Sequence, residues 1–172
     1  MIPQSDIIEQ AQNLLNDPSF SFWSENEYKF LADLGVLDFQ EKTFCSTDTI
    51  ELISTRQELP ENFLKLKAYR EKDSNRNRPD MRQRVRIYDE YGITYIESDF
   101  NILMDFYIRD NEKNESDEYI HIDGEQAKNT IALFIVWNNL LKEGDLQKSL
   151  FYQNLYLNET QKIFIKNRKG GK

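Results

Sequence analysis

Ile131-Ala132-Leu133-Phe134-Ile135-Val136-Trp137 is an unbroken apolar run, the longest cluster of its kind in the chain. It lies within Tyr119 to Arg168, which reads as a short strand and then two long helices joined only by Gly144 and Asp145. Seven apolar residues in succession cover every side of a helix, so this helix must be buried on more than one side. Two arrangements meet that demand: a central helix, or a helix shared with a neighbouring subunit. Assembly therefore comes before catalysis among the questions the chain raises.

The segments around this run follow the same logic. Tyr119-Ile120-His121-Ile122-Asp123 alternates as a strand does. Asp123 and Gln126 have the spacing of a helix cap and its partner, predicting a helix through Leu141. Gly144 suits a left-handed helix end, and Asp145 caps the last helix. Leu150, Leu157 and Phe164 recur seven apart and share one stripe. At the N-terminus, Ser5 is placed to cap a first helix whose apolar face is Ile7, Ile8, Ala11, Leu14 and Leu15, ending at Asp17-Pro18. Ser24-Glu25-Asn26-Glu27 is a capping box for a second helix with Tyr28, Leu31, Ala32 and Leu34 inside, and Gly35 is expected to end it.

From Thr47 the period changes to two. Thr49–Ile53, Phe63–Tyr69 and Ile102–Ile108 read as strands, and Val85–Asp89 with Ile93–Glu97 flanks the turn Glu90-Tyr91-Gly92 as a hairpin. Residues 71–84 and 111–118 are charged, solvated loops. Helices, sheet and helices in that order predict an α+β fold. We expect a single domain over residues 1–172: a helical bundle from residues 5–42 and 123–168, with an antiparallel β module at about residues 47–122 inserted into it.

The chain has 172 residues, 39% of them hydrophobic and 13% aromatic, enough for a real core. Phe20, Phe22, Trp23, Phe30, Trp137, Phe151 and Tyr152 are expected to fill it. A formal net charge of −8 argues against binding nucleic acid through phosphates. Its one cysteine, Cys45, rules out an internal disulfide and fits a reducing cytosol; it reads as a small buried hydrophobe. The N-terminus lacks the charged and apolar regions of a signal peptide, and no run is long enough to span a bilayer.

Catalytic patterns are weak. His121 is the sole histidine and stands in no recognisable spacing to a nucleophile and an acid, so it reads as structural. One histidine and one cysteine make a zinc site implausible, and the oxygen-rich stretch 73–78 lacks a closing acid for calcium. Asp80 with Glu97 faintly resembles a nuclease acid set, but no lysine follows. Glycine-rich phosphate loops are absent. The expectation is no enzyme, no cofactor and no metal. Interaction residues are expected instead in three groups: Ile131, Phe134 and Trp137 on the apolar helix; Arg76, Arg78 and Arg82 in the basic loop; and Ile163, Phe164, Lys166, Arg168 and Lys169 at the C-terminus. Removal of residues 163–172 is expected to spare the fold and abolish docking.

The order of these elements resembles the head-to-tail adaptor, or connector, proteins of tailed bacteriophages, especially short-tailed ones. The resemblance rests on Ser5 to Leu15 and Trp23-Ser24-Glu25 at the start, and on the turn Leu59-Pro60-Glu61-Asn62-Phe63. It continues through Leu103-Met104-Asp105-Phe106-Tyr107, the helix Asp123 to Leu141, the break Gly144-Asp145, and Tyr152 to Tyr156. It covers nearly the whole chain as an order of elements without a diagnostic motif. The Asn-, Lys- and Ile-rich style suits an AT-rich phage, such as a crAss-like one. The resemblance implies a structural virion protein of the neck or tail, assembled in the host cytoplasm as a homo-oligomeric ring, commonly twelvefold. The ring docks beneath the portal protein and meets downstream tail or neck proteins, and DNA passes through it without specific binding or membrane contact. The alternatives are another neck or tail-completion protein, or a small intracellular protein-binding module.

Overall fold

The computed structural model describes residues 1–52, 55–71, 85–98 and 101–170, with the side chains of residues 70, 71, 169 and 170 left out of the description. In chain order the elements are β1 (Ile2–Pro3), α1 (Gln4–Leu15), α2 (Glu25–Thr43), β2 (Thr47–Leu52), β3 (Arg56–Glu58), β4 (Phe63–Glu71), β5 (Val85–Glu90), β6 (Ile93–Ser98), β7 (Ile102–Ile108), β8 (Glu118–Tyr119), α3 (Glu125–Glu143) and α4 (Leu146–Gly170). The fold is α+β. The chain forms two compact units, Met1–Cys45 with Asp110–Lys172, and Ser46–Arg109.

The first unit is helical. α3 packs against α1, α2 and α4, so its own chain encloses it. Ile131, Ala132, Ile135 and Val136 are fully buried, and Phe134 is 9% exposed. Burying an Ile or Val side chain stabilises a fold by roughly 1.5–3 kcal/mol each, so the run contributes substantially to the core of this unit. The central-helix arrangement holds, and the shared-helix one is not needed to cover these side chains.

Gly35 does not end α2. The helix continues through it to Thr43, and the glycine is buried against α3. A Cβ there would stand 3.0 Å from Ile131 Cγ2 and from Phe134 Cδ1. The residue that looks like a helix breaker is instead what lets two helices approach. The capping box is formed as expected: Ser24 Oγ accepts from the Glu27 N–H, and Glu27 Oε2 accepts from the Ser24 N–H at 2.9 Å.

Two other helix starts differ from expectation. α1 begins at Gln4 after Pro3, whose φ of −60° suits the entry, and Ser5 does not cap it. β1 holds this start in place, because Ile2 and Pro3 pair antiparallel with Tyr119 and Glu118 of β8. The segment after Tyr119 is turn instead of strand, since β1 is only two residues long and offers no further partner. α3 begins at Glu125, with the Gly124 carbonyl accepting from the Ala127 and Lys128 N–H groups. Asp123 lies one residue outside that cap. Hence residues 110–122, assigned from sequence to the β module, belong to the helical unit. At the other end of α3, Gly144 adopts the left-handed conformation and Asp145 Oδ1 accepts from the Lys148 N–H, as the sequence predicts.

The second unit holds two three-stranded antiparallel sheets, ordered β2-β7-β4 and β3-β6-β5. β7 is central to the first, and its alternation is strict. Ile102, Met104, Phe106 and Ile108 are buried, whereas Leu103, Asp105 and Tyr107 are half-buried. Leu52, Leu59 and Ile96 join them in one core. The turn Tyr91-Gly92 joins β5 to β6 in the expected hairpin, with Glu90 opposite Ile93.

Candidate functional site

The described surface of the helical unit has two features from which a function can be argued. The first is an outward apolar row on α4. The helix turns Ser149, Tyr156, Thr160 and Ile163 inward. Its outer side carries Leu146, Leu150, Phe151, Leu157 and Ile165, with Leu150 57% exposed and Leu157 42% exposed. Leu150 and Leu157 do lie seven apart on one stripe, but that stripe faces out. A second apolar pair lies on α2, where Phe30 is 61% and Leu34 37% exposed four residues apart, and Phe22, 70% exposed, lies in the loop that precedes the helix. Isolated exposed apolar side chains are ordinary; several at helical spacing on one element form a contact surface.

This distribution corrects several expectations. Phe22, Phe30 and Phe151 do not fill the core; the buried rings include Trp23, Tyr28 and Tyr156, with Tyr156 against Phe134 of α3 and Trp23 against Tyr28. Ile131 and Phe134 are core residues with no surface to offer a partner. Trp137 is half-buried, its ring 5.4 Å from Phe134 and 6.1 Å from Tyr156. Cys45 is exposed, since the left-handed Phe44 that ends α2 turns its own ring toward Phe164 at 5.8 Å.

At the C-terminus, Ile163 is part of the helical core. Asn167 Nδ2 donates to the Thr43 carbonyl at 3.1 Å, so α4 is tied to the end of α2. Removing residues 163–172 would take a core side chain and this tie, so it is expected to destabilise the helical unit. Phe164 is half-buried, with the Arg168 guanidinium 5.6 Å above its ring; Lys166 is exposed. Lys169 is within α4, but its side chain lies outside the described residues, as do Arg76, Arg78, Arg82 and Asp80.

The second feature is a convergence that sequence spacing does not reveal. Asp110, Glu112 and His121 bring one donor atom each to within 4.8 Å of one another. His121 Nε2 is 3.9 Å from Asp110 Oδ2 and 3.9 Å from Glu112 Oε2. The backbone makes the cluster. The Asp110 N–H donates to Gln40 Oε1 at 2.6 Å, and Gln40 is fully buried on α2. Asp110 Oδ1 accepts from the Glu112 N–H at 2.7 Å, and the Ile120 N–H donates to the Glu112 carbonyl at 3.2 Å. The sequence pairs His121 with its neighbour Asp123, but the chain folds back to give it Asp110 and Glu112. A count of histidines and cysteines could not find this set, because two of its members are carboxylates. One N donor and two O donors suit a divalent transition ion.

A buried polar network lies elsewhere in this unit. Tyr119 Oη donates to Asp33 Oδ1 at 2.6 Å, Gln4 Nε2 donates to Tyr119 Oη at 2.9 Å, and Lys113 Nζ stands 2.9 Å from the same Asp33 oxygen. It holds Lys113, within the stretch 111–118 expected to be a solvated loop, and the neighbouring Tyr119 against α1 and α2. No helix among the described residues is long and apolar enough to cross a membrane. The chain matches no protein-family model, and comparison with curated proteins gives no match.

Proposed function

We propose that this chain is a structural virion protein, a non-enzymatic head-to-tail adaptor that assembles as a ring beneath a portal protein. The observation that carries this reading is the outward apolar row Leu146, Leu150, Leu157 on the 25-residue α4. A ring needs two different surfaces on each protomer, so that each subunit meets the next head to tail. The α4 row is one such surface, and the exposed pair Phe30 and Leu34 on α2 is the other. The subunit contact moves in this way from the buried residues of α3 to the outer sides of α4 and α2.

Two further observations support the reading. A β unit is inserted between α2 and α3, in the order that the sequence resemblance implies. The formal charge of −8 would keep passing DNA from adhering to a channel wall.

Electron microscopy of the protein mixed with its portal tests the proposal. Added ring density beneath the portal is expected, and is expected to vanish with the Leu150→Glu, Leu157→Glu double variant. These side chains are exposed, so the variant keeps its monomer fold. Portal particles with no added density would refute the adaptor role. A compact one-to-one complex would favour a protein-binding module.

A further inference from the structure

We infer that Asp110, Glu112 and His121 form a binding site for one divalent transition ion of the zinc class, which cross-links residues 110–112 to His121 within the helical unit. The inference is independent of the ring proposal and uses none of its residues.

The donor set selects the ion. Imidazole nitrogen is a poor ligand for Mg²⁺ or Ca²⁺, which take oxygen, whereas zinc accepts one imidazole and two carboxylates readily. The distances fit after a small closure. Ligands about 2.0–2.2 Å from a tetrahedral ion lie about 3.4 Å from one another. His121 Nε2 is 3.9 Å from each carboxylate oxygen and all three donors lie within 4.8 Å of one another, so a closure of about half an ångström at the imidazole, with a swing of the Glu112 carboxylate toward Asp110 of up to about 1.4 Å, seats the ion. Glu112 is 64% exposed and can swing through that distance at little cost.

The support for the ligands also fits. A metal-bound carboxylate is generally oriented by a hydrogen bond to its second oxygen. Asp110 has this arrangement, with Oδ1 accepting from the Glu112 N–H and Oδ2 facing His121. Its own N–H is anchored to buried Gln40. The Asp110 carboxylate is therefore oriented in advance, and the Ile120 N–H to Glu112 carbonyl bond brings the backbone of the other two ligands together, so binding has to order chiefly the Glu112 side chain. Three protein ligands leave a fourth position for water. The expected role is a structural staple that ties the segment entering the helical unit at Asp110 to the turn before α3.

The sole histidine makes the test direct. In the full-length protein, the ring resonances of His121 are followed by NMR as zinc chloride is added. They are expected to shift or broaden and to saturate at one equivalent, together with a rise in Tm. Magnesium chloride at the same concentration should leave them in place. Glu112→Ala, at an exposed position that the fold does not need, should weaken zinc binding at least tenfold, whereas Cys45→Ser should leave it unchanged. Unmoved His121 resonances in the presence of bound zinc would overturn the inference. So would a Glu112→Ala variant that binds zinc as tightly as the parent chain.

Discussion

Gly35 on α2 stands so close to Phe134 on α3 that a Cβ at position 35 would come within 3.0 Å of the ring carbon Cδ1. Ile131 Cγ2 would be equally near. Both neighbours are buried, so neither can move away into solvent. Replacing a mid-helix glycine by alanine ordinarily gains about 1 kcal/mol of helix propensity, while overpacking a core costs about 1–3 kcal/mol. The crowding wins once the side chain is branched. Gly35→Val should lower stability by about 2 kcal/mol or more, measured by urea unfolding. Phe134→Leu in the same chain should recover part of that loss. Simple additivity of the two changes would show that they do not share the contact.

Three tyrosines set the response to alkali. Burial is the main cause that raises the Tyr119, Tyr156 and Tyr28 phenols above the ordinary value of 10.0; Asp33 adds to it for Tyr119, Asp38 for Tyr156 and Asp17 for Tyr28. The folded chain therefore holds these protons more tightly than the unfolded chain. Their contribution is complete below pH 10.0 and is lost as pH rises above it. Tm should fall steeply above that pH, and Tyr119→Phe with Tyr156→Phe should flatten the fall. At neutral pH Tyr119→Phe should itself cost about 1–3 kcal/mol, because Gln4 and Asp33 lose a buried partner. An unchanged alkaline limb in the double variant would exclude these tyrosines as its source.

Glu27, paired with Lys142 as well as with the capping box, contributes to the response to acid. A hydrogen bond from Lys142 is the largest cause that lowers the Glu27 carboxyl from 4.5 to about 2, followed by the Ser24 N–H and hydroxyl. This depressed value means that its contribution is present above pH 4.5 and is lost as pH falls toward 2. Glu27→Gln should remove that part of the acid limb in a Tm–pH profile. Glu27 is exposed, so added salt should shrink the difference between variant and parent. Ser24→Ala should cost about 1 kcal/mol at neutral pH through the lost cap.

The β5–β6 hairpin carries a residue poorly suited to its turn. Tyr91 and Gly92 both have positive φ, 53° and 82°, as a tight two-residue connection demands. Glycine adopts this conformation freely, but tyrosine is strained in it, and Tyr91 is 98% exposed with no packing to compensate. Tyr91→Asn should raise stability by about 0.5–1 kcal/mol, read from the denaturant midpoint. A midpoint that does not rise would mean that the left-handed turn is not the limiting strain.

What could be read from the chain alone was local. Ser24 and Glu27 are three residues apart, and their reciprocal hydrogen bonds follow from that spacing. The alternation of Ile102, Met104, Phe106 and Ile108 fixes the buried face of β7, and Gly144-Asp145 fixes the break between α3 and α4. Each depends on atoms a few residues away, so the sequence determines it. The α+β order follows from such pieces placed in succession.

Direction and convergence were decided only by the folded chain. The seven-residue spacing of Leu150, Leu157 and Phe164 places them on one stripe, but spacing is the same whether a stripe faces in or out. The helical unit offers limited buried area to α4, and Ser149, Tyr156, Thr160 and Ile163 take it, leaving Leu150 and Leu157 outside. Gly35 reads locally as a helix end, and only the approach of Ile131 and Phe134 makes it a contact. His121 gains Asp110 and Glu112 because β8 pairs with β1 and draws residues 110–121 back onto the helices. Short-range preference can name an element, but competition for a finite buried surface among distant segments decides what each side chain meets.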